Sequence, residues 1–312
     1  MARYDTITFL SDYGRTDEFV GIVHSVIRSI EPAATVVDLT HDITPYDVRG
    51  GGLALARSVG YLCPGVVLAV VDPGVGTDRR AIAVEVGDGM SVLVGPDNGL
   101  LAPAVAMCGG ASRAIDLTNT DYHLEAPGPT FAGRDVFAPV AAHLAAGVPL
   151  DELGTEIDPI SLLPGMLPVS HLDGDELQAE VLWVDRYGNA QLNVDPDEIA
   201  DLGDRVRIRF GDTIRSAHVV GTYAEVGPGE IGLVVDSYGL LSVVVQQGSA
   251  AATFDLAPAT AVKLSAFDED DAPSGGVTTT VSLSARADRD RPSAGPAPAG
   301  ADPDLDPKAM HP

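Results

Sequence analysis

The stretch Gly65-Val66-Val67-Leu68-Ala69-Val70-Val71-Asp72-Pro73-Gly74-Val75-Gly76 organises the reading of this chain. Its first seven residues are apolar and strongly β-branched, the texture of a strand over Gly65–Val71. The run then breaks on Asp72-Pro73-Gly74, which has the composition of a turn. Working back from it, Asp47–Val59 reads as a helix and Thr35–Leu39 as a strand. Asp17–Ile30 carries Phe19, Val20, Ile22, Val23, Val26, Ile27 and Ile30 at helical spacing, and Thr6–Ser11 is a short apolar strand. Working forward, Ala81–Val86 and Ser91–Val94 read as strands, and Leu100–Met107 and Arg134–Ala146 as helices. Strands alternating with helices predict an α/β fold whose mostly parallel sheet is flanked by helices on both faces.

After about Leu167 the pattern changes. Leu177–Val184, Ala190–Val194, Arg205–Phe210, Ser216–Val220, Ile231–Val235 and Leu241–Val245 are short strands at close spacing, with Gly, Asp and Asn between them. That spacing predicts a small antiparallel β-barrel or sandwich. The expected organisation is therefore an N-terminal α/β domain (1–160), a linker (161–173), a C-terminal β domain (174–266) and a tail (267–312). The tail is rich in Asp, Pro, Ala, Gly and Ser, and is expected to be disordered because it has too little apolar surface to offset chain entropy.

Composition narrows the function. Nineteen Lys and Arg against 45 Asp and Glu give a formal net charge of −26. Such a surface repels phosphate backbones and anionic lipid, so neither nucleic acid nor a membrane is an expected partner, whereas a cation is acceptable. The two cysteines, Cys63 and Cys108, form neither a disulfide framework nor a zinc motif. His24, His41 and His143 stand in a helix, a loop and a helix, none paired at metal-ligand spacing, so no metal is expected. With no signal-peptide pattern and no apolar run of about 20 residues, the expected location is the cytoplasm.

Ligands of open α/β sheets sit at the carboxyl ends of strands. Three polar clusters fall at such ends: Ser11-Asp12-Tyr13-Gly14 with Asp17-Glu18-Phe19, then Asp72-Pro73-Gly74-Val75-Gly76 with Arg79, then Gly95-Pro96-Asp97-Asn98-Gly99. Each also has a plain structural reading. Asp12 and Asp17 suit a turn and a helix cap, and the third cluster reads best as a turn. No Gly-x-Gly-x-x-Gly or Walker loop follows the first strand, so nucleotide phosphate is not the indicated ligand.

Taken in order with Thr130-Phe131-Ala132-Gly133-Arg134-Asp135, Asp185-Arg186-Tyr187-Gly188-Asn189 and Ser237-Tyr238-Gly239, these blocks resemble the S-adenosylmethionine hydroxide adenosyltransferases over about residues 5–255. That family is related to the S-adenosylmethionine-dependent fluorinase and chlorinase. The resemblance implies hydrolysis of S-adenosylmethionine to adenosine and methionine, the sulfonium being substrate and no cofactor being needed. It also implies that the C-terminal strands form the barrel, in a homotrimer with active sites between one subunit's α/β domain and its neighbour's barrel. Asp72 would sit beside the attacking water, held by Arg79. Asp12 would accept from the ribose hydroxyls, with Asp17, Glu18 and Phe19 on the same side and Gly133, which matches a glycine of the chlorinase, among the ligand-binding residues. From the barrel, Asp185 would meet the methionine ammonium and Asn189 the adenine edge, with Ser237, Tyr238, Ser242 and Val245 around the adenosine. On the residues alone, Asp185–Asn189 is a hairpin loop.

One position departs from the family's pattern: the hydrolases carry His where this chain has Ala132. Asp72 alone, or His123 entering from the same loop, are the two replacements the sequence offers. Two alternatives follow, a halogenase and a non-catalytic binder of adenosine or S-adenosylmethionine. The halogenases place Tyr where this chain has Asp72, so water is the expected nucleophile.

Overall fold

A computed structural model describes residues 4–268. The strands, in chain order, are β1 (Thr6–Ser11), β2 (Thr35–Thr40), β3 (Val66–Val70), β4 (Ala81–Val86), β5 (Ser91–Pro96), β6 (Ala111–Asp116), β7 (Thr155–Ile157), β8 (His171–Asp173), β9 (Glu176–Val184), β10 (Ala190–Leu192), β11 (Arg205–Phe210), β12 (Thr213–Val220), β13 (Ile231–Val235), β14 (Leu241–Val245) and β15 (Ala261–Ala266). The helices are α1 (Phe19–Ile30), α2 (Val48–Ser58), α3 (Ala102–Met107), α4 (Ala138–Ala146) and α5 (Ala250–Phe254). A π-helical turn, Gly133–Phe137, leads into α4. The tail expected to be disordered lies, from residue 269 onward, outside the described residues.

The first seven strands form one sheet in the order β2-β1-β3-β5-β4-β6-β7. β1 runs parallel to both β2 and β3, and β3 parallel to β5, while β4 is antiparallel to its neighbours β5 and β6. The sheet is thus mixed, with a parallel half that carries the predicted strand–helix alternation. β3 shows why that half is apolar throughout. Its Val66, Leu68 and Val70 pack with Val23 and Ile27 of α1 and Val140, Ala141 and Leu144 of α4. The intervening Val67, Ala69 and Val71 pack on the other face with Leu55, Leu100, Leu101 and Ala104. Side chains alternate sides along a strand, so a strand covered by helices on both faces must be apolar at every position.

From β1 the chain crosses through α1 to β2 on one side, then through α2 to β3 on the other. The strand order therefore reverses between β1 and β3, and at such a switch point the loops diverge and leave a crevice at the carboxyl ends. Asp12 and Asp72 stand at those two ends, and the backbone N–H of Asp12 bonds the Val70 carbonyl at 3.3 Å.

Strands β9 to β15 make the barrel, in the order β10-β14-β13-β12-β11-β15-β9, closed by the β9–β10 pairing and flanked by β8. It encloses Leu177, Val181, Leu192, Ile208, Leu233, Val243 and Leu264. The antiparallel expectation holds for every barrel pairing but one. β12 and β13 run parallel, because residues 221–230 carry the chain back to the starting end of β12. α2 packs on β9, and Arg49 pairs with Glu180, tying the sheet to the barrel.

Two glycines report on the packing from opposite sides. Gly95 in β5 faces the Ala69 carbonyl so closely that an added Cβ would collide with backbone, whereas Gly21 in α1 is exposed, with open space around it. Gly95→Ala is expected to lower stability by about 1–3 kcal/mol through overpacking. Gly21→Ala is expected to raise it by roughly 0.5–1 kcal/mol through helix propensity. Urea unfolding of the two variants beside the parent checks both signs.

Candidate functional site

The crevice at the switch point holds a pocket of about 230 Å³, lined by Asp12, Tyr13, Phe19, Pro45, Tyr46, Asp72, Val75, Thr130, Phe131, Ala132 and Gly133. Four loops supply it, those following β1, β2 and β3 and the one that enters the π-helical turn. Asp72 is its deepest charge, with only 6% of its side chain exposed. Arg79, seven residues on, returns along the loop to grip both oxygens, Nε to Oδ1 at 2.7 Å and Nη2 to Oδ2 at 2.5 Å. The Arg79 guanidinium also donates to the Arg80 carbonyl at 3.1 Å and stacks 5.1 Å from the Phe137 ring centroid. A planar fork so held fixes a carboxylate in position and orientation. Each carboxylate oxygen keeps a further lone pair for a small molecule in the pocket.

Asp12 is held differently. Its Oδ2 accepts the Tyr46 N–H at 2.9 Å, and no cation pairs with it among the described residues. Tyr46 sits in the left-handed region, at φ 68°, and exposes its ring at the pocket mouth. Asp12 thus brings an uncompensated negative charge, whereas that of Asp72 is countered by Arg79 and that of Asp135 by Arg134. The Tyr13, Phe19 and Phe131 rings meet pairwise at 5.6, 5.0 and 5.6 Å, a triangle of tilted and edge contacts that makes one wall. Burial, reinforced by the charges of Asp12 and Asp72, drives the Tyr13 phenol far above its ordinary range and keeps it neutral.

Of the residues singled out in the sequence, the pocket gathers Asp12, Phe19, Asp72 and Gly133, with Arg79 behind Asp72. Asp17 and Glu18 do not line it. Both are exposed, and Glu18 occupies the N-cap of α1 without a side-chain capping bond. His123 does not enter the pocket either: its Nε2 is buried without a partner, and burial holds its pKa below the usual histidine value. The third cluster is architectural: Gly95 and Pro96 end β5, and residues 97–100 bend away from it. Asp97 is buried, pairs with Arg80 and accepts the Leu163 N–H at 2.9 Å, while Asn98 donates to the Val71 carbonyl at 2.9 Å.

The barrel residues form their own groups. Both oxygens of Asp185 are taken by its own loop, from the N–H groups of Tyr187 and Asn189 and from Asn189 Nδ2, each at 2.8 Å. Ser242 donates to Asp236 at 3.0 Å, and Asp236 also accepts from Gln191. Tyr238 lies with Trp183 and Arg57 along a separate cleft of about 560 Å³ between α2 and the barrel, the Arg57 guanidinium 4.3 Å from the Trp183 ring. Asp185, Asn189, Ser237, Tyr238, Ser242 and Val245 are all absent from the lining of the Asp72 pocket.

Sequence reasoning did not single out Tyr13, Pro45 or Tyr46 as site residues. Pro45 and Tyr46 follow β2, so the strand-end rule that found Asp12 and Asp72 would have found them too. Nor did spacing show that His24 and His41 meet. They converge on Asp38 of β2, at 2.7 and 3.1 Å, while His41 Nδ1 lies 2.8 Å from the Ser11 hydroxyl. Burial would raise the Asp38 carboxyl, but hydrogen bonds from His41 and His24 outweigh it and hold the group low. These contacts brace the strand end that carries Asp12.

Comparison with known proteins follows this geometry. Residues 7–154 match the family model described as the SAM hydroxide adenosyltransferase N-terminal domain, and residues 179–263 its C-terminal domain. An (R)-S-adenosyl-L-methionine hydrolase of Salinispora tropica is 43% identical, the match covering 85% of this chain and 100% of the relative. The hydrolase of the same name from Thermus thermophilus is 39% identical over 83% of this chain and 98% of its own. A fluorinase of an Actinoplanes species is 28% identical over 76% and 89%. A crystal structure of an uncharacterized conserved protein from Thermotoga maritima superposes with a TM-score of 0.77 at 32% identity, covering 83% of this chain and 99% of that one. Sheet, barrel and strand-end pocket come together in a chain that belongs to the S-adenosylmethionine (SAM) hydroxide adenosyltransferase family.

Proposed function

We propose that this chain is a SAM hydrolase, releasing adenosine and methionine by attack of water on the ribose C5′. The observation that carries this reading is Asp72 itself, a carboxylate clamped by Arg79 and facing the switch-point pocket. The leaving group is a sulfonium, which departs as a neutral thioether with the C5′–S electron pair, so its expulsion needs neither acid nor metal. What the protein must supply is alignment of water, C5′ and sulfur, worth on the order of 7–11 kcal/mol in favourable cases. A fixed acceptor for one water proton does this, and Asp72 is such an acceptor. The uncompensated Asp12 suits the ribose hydroxyls and draws in a cation. Halide would meet the Asp72 charge, and this disfavours halogenation.

The relatives at 39–43% identity are named for the (R) sulfonium, and we infer the same epimer for this chain. We further infer that the pocket is completed by the barrel of another copy in a homotrimer. In support, the barrel residues Asp185, Asn189, Ser237, Tyr238, Ser242 and Val245 do not reach the pocket of their own chain, while Tyr187 and Tyr238 expose their rings. The reading places the reaction in the cytoplasm, where the free thiols of Cys63 and Cys108 would stay reduced. Among the described residues no helix is long and apolar enough to cross a membrane.

Incubation with each SAM epimer in chloride buffer, followed by chromatography, tests the reaction. Adenosine and methionine are expected, formed faster from the (R) form. Chlorinated deoxyadenosine, or unchanged substrate with tight binding, would replace this reading with a halogenase or a binder. Asp72→Asn keeps the volume and is expected to lower kcat by about 10²–10⁴-fold, with KM within about tenfold; near-normal turnover would remove Asp72 from the mechanism. If sites form between copies, mixing refolded Asp72→Asn and Asn189→Ala subunits should recover activity that neither variant shows alone.

A further inference from the structure

We propose that the Tyr13 hydroxyl positions the attacking water, a role that rests on the hydrolytic reading above. Tyr13 follows Asp12 directly at the end of β1, and its ring is wedged among Phe9, Phe19 and Phe131 at 6.4, 5.6 and 5.6 Å. Three aromatic contacts leave the ring one orientation, with its hydroxyl at the pocket wall formed by Ala132 and Gly133. The approach to Gly133 is so close that a Cβ there would collide with the phenol oxygen, so the glycine makes room for the hydroxyl.

Packing does not explain that oxygen. A phenylalanine would make the same ring contacts, and among the described residues no protein group hydrogen-bonds the Tyr13 hydroxyl. Half-buried phenols normally find a partner. Here the oxygen stays open to a small molecule in the pocket that Tyr13 shares with Asp72. Burial and the charges of Asp12, Asp72 and Asp135 keep this phenol protonated against the opposing charge of Arg79, which leaves it a fixed neutral donor and acceptor. Such a group complements Asp72. One water proton points to the carboxylate, the other to the phenol oxygen, and the water lone pair is left facing C5′. As the C5′–O bond forms, the C5′–S pair passes to sulfur, and one water proton leaves through Asp72. The side chain at 132 is a methyl group that offers no hydrogen bond, and Tyr13 brings a neutral hydroxyl to that wall of the pocket.

Tyr13→Phe tests the assignment. The ring contacts remain, so the melting temperature and the affinity for adenosine by calorimetry should match the parent. We expect kcat to fall about 10- to 100-fold with KM within about threefold. The parent kcat should show no step near pH 10 that the variant removes, because the phenol stays neutral there. A raised KM with unchanged kcat would make the hydroxyl a substrate-binding group and overturn the proposal. So would parent-like values of both constants, or a loss of melting temperature in proportion to the loss of rate. If the parent itself released no adenosine from either epimer, the functional reading would fall and this one with it, whereas an active parent beside an unchanged Tyr13→Phe would remove only the role given to Tyr13.

Discussion

The pairing of Asp72 with Arg79 is the contact on which the site depends. A carboxylate only 6% exposed needs compensation, and removing the partner of a buried pair commonly costs about 3–5 kcal/mol. Arg79 supplies that compensation in the one geometry that satisfies both oxygens, and is itself steadied by the Arg80 carbonyl and the Phe137 ring. The ring of Phe137 belongs to the π-helical turn, whose first residue is Gly133 at the pocket wall. The loop after β3 and the turn before α4 are therefore locked together through one guanidinium.

Electrostatics divide the pocket's labour. Three carboxylates surround Tyr13, yet Asp72 and Asp135 are each countered by an arginine, and only Asp12 stands without one. Net negative potential is thereby concentrated on the side proposed for the ribose, and a sulfonium substrate is drawn to it without an anion trap forming where water must attack. Three aromatic rings close the remaining side and limit the water the pocket can admit.

Much of this was legible in the residues. Continuous apolar strands such as Val66–Val70 announce two covered faces, and polar residues just past their carboxyl ends announce the crevice. Asp12, Phe19, Asp72 and Arg79 all fell to that reading, whereas Gly133 came only from the family resemblance. The antiparallel insertion of β4 was not legible, because Ala81–Val86 has the same apolar texture whichever way it runs. The short strands β6, β7, β8 and β15 escaped for a related reason. Ala111–Asp116 and His171–Asp173 mix polar and apolar residues at positions that only their partners rationalise.

The order of residues along the chain thus determined the type of each strong element, the strand ends where chemistry could sit, and the acidic character that favours a cationic substrate. These follow from local periodicity and charge, which a sequence carries explicitly. The tertiary structure alone decided which strand ends become neighbours. It set β1 beside β3 so that Asp12 and Asp72 face one pocket, turned Asp97 into a buried anchor, joined His24 to His41 through Asp38, and aimed the Tyr13 hydroxyl at Gly133. Such meetings depend on strand order and on the close packing of side chains far apart in sequence, and no local pattern encodes either.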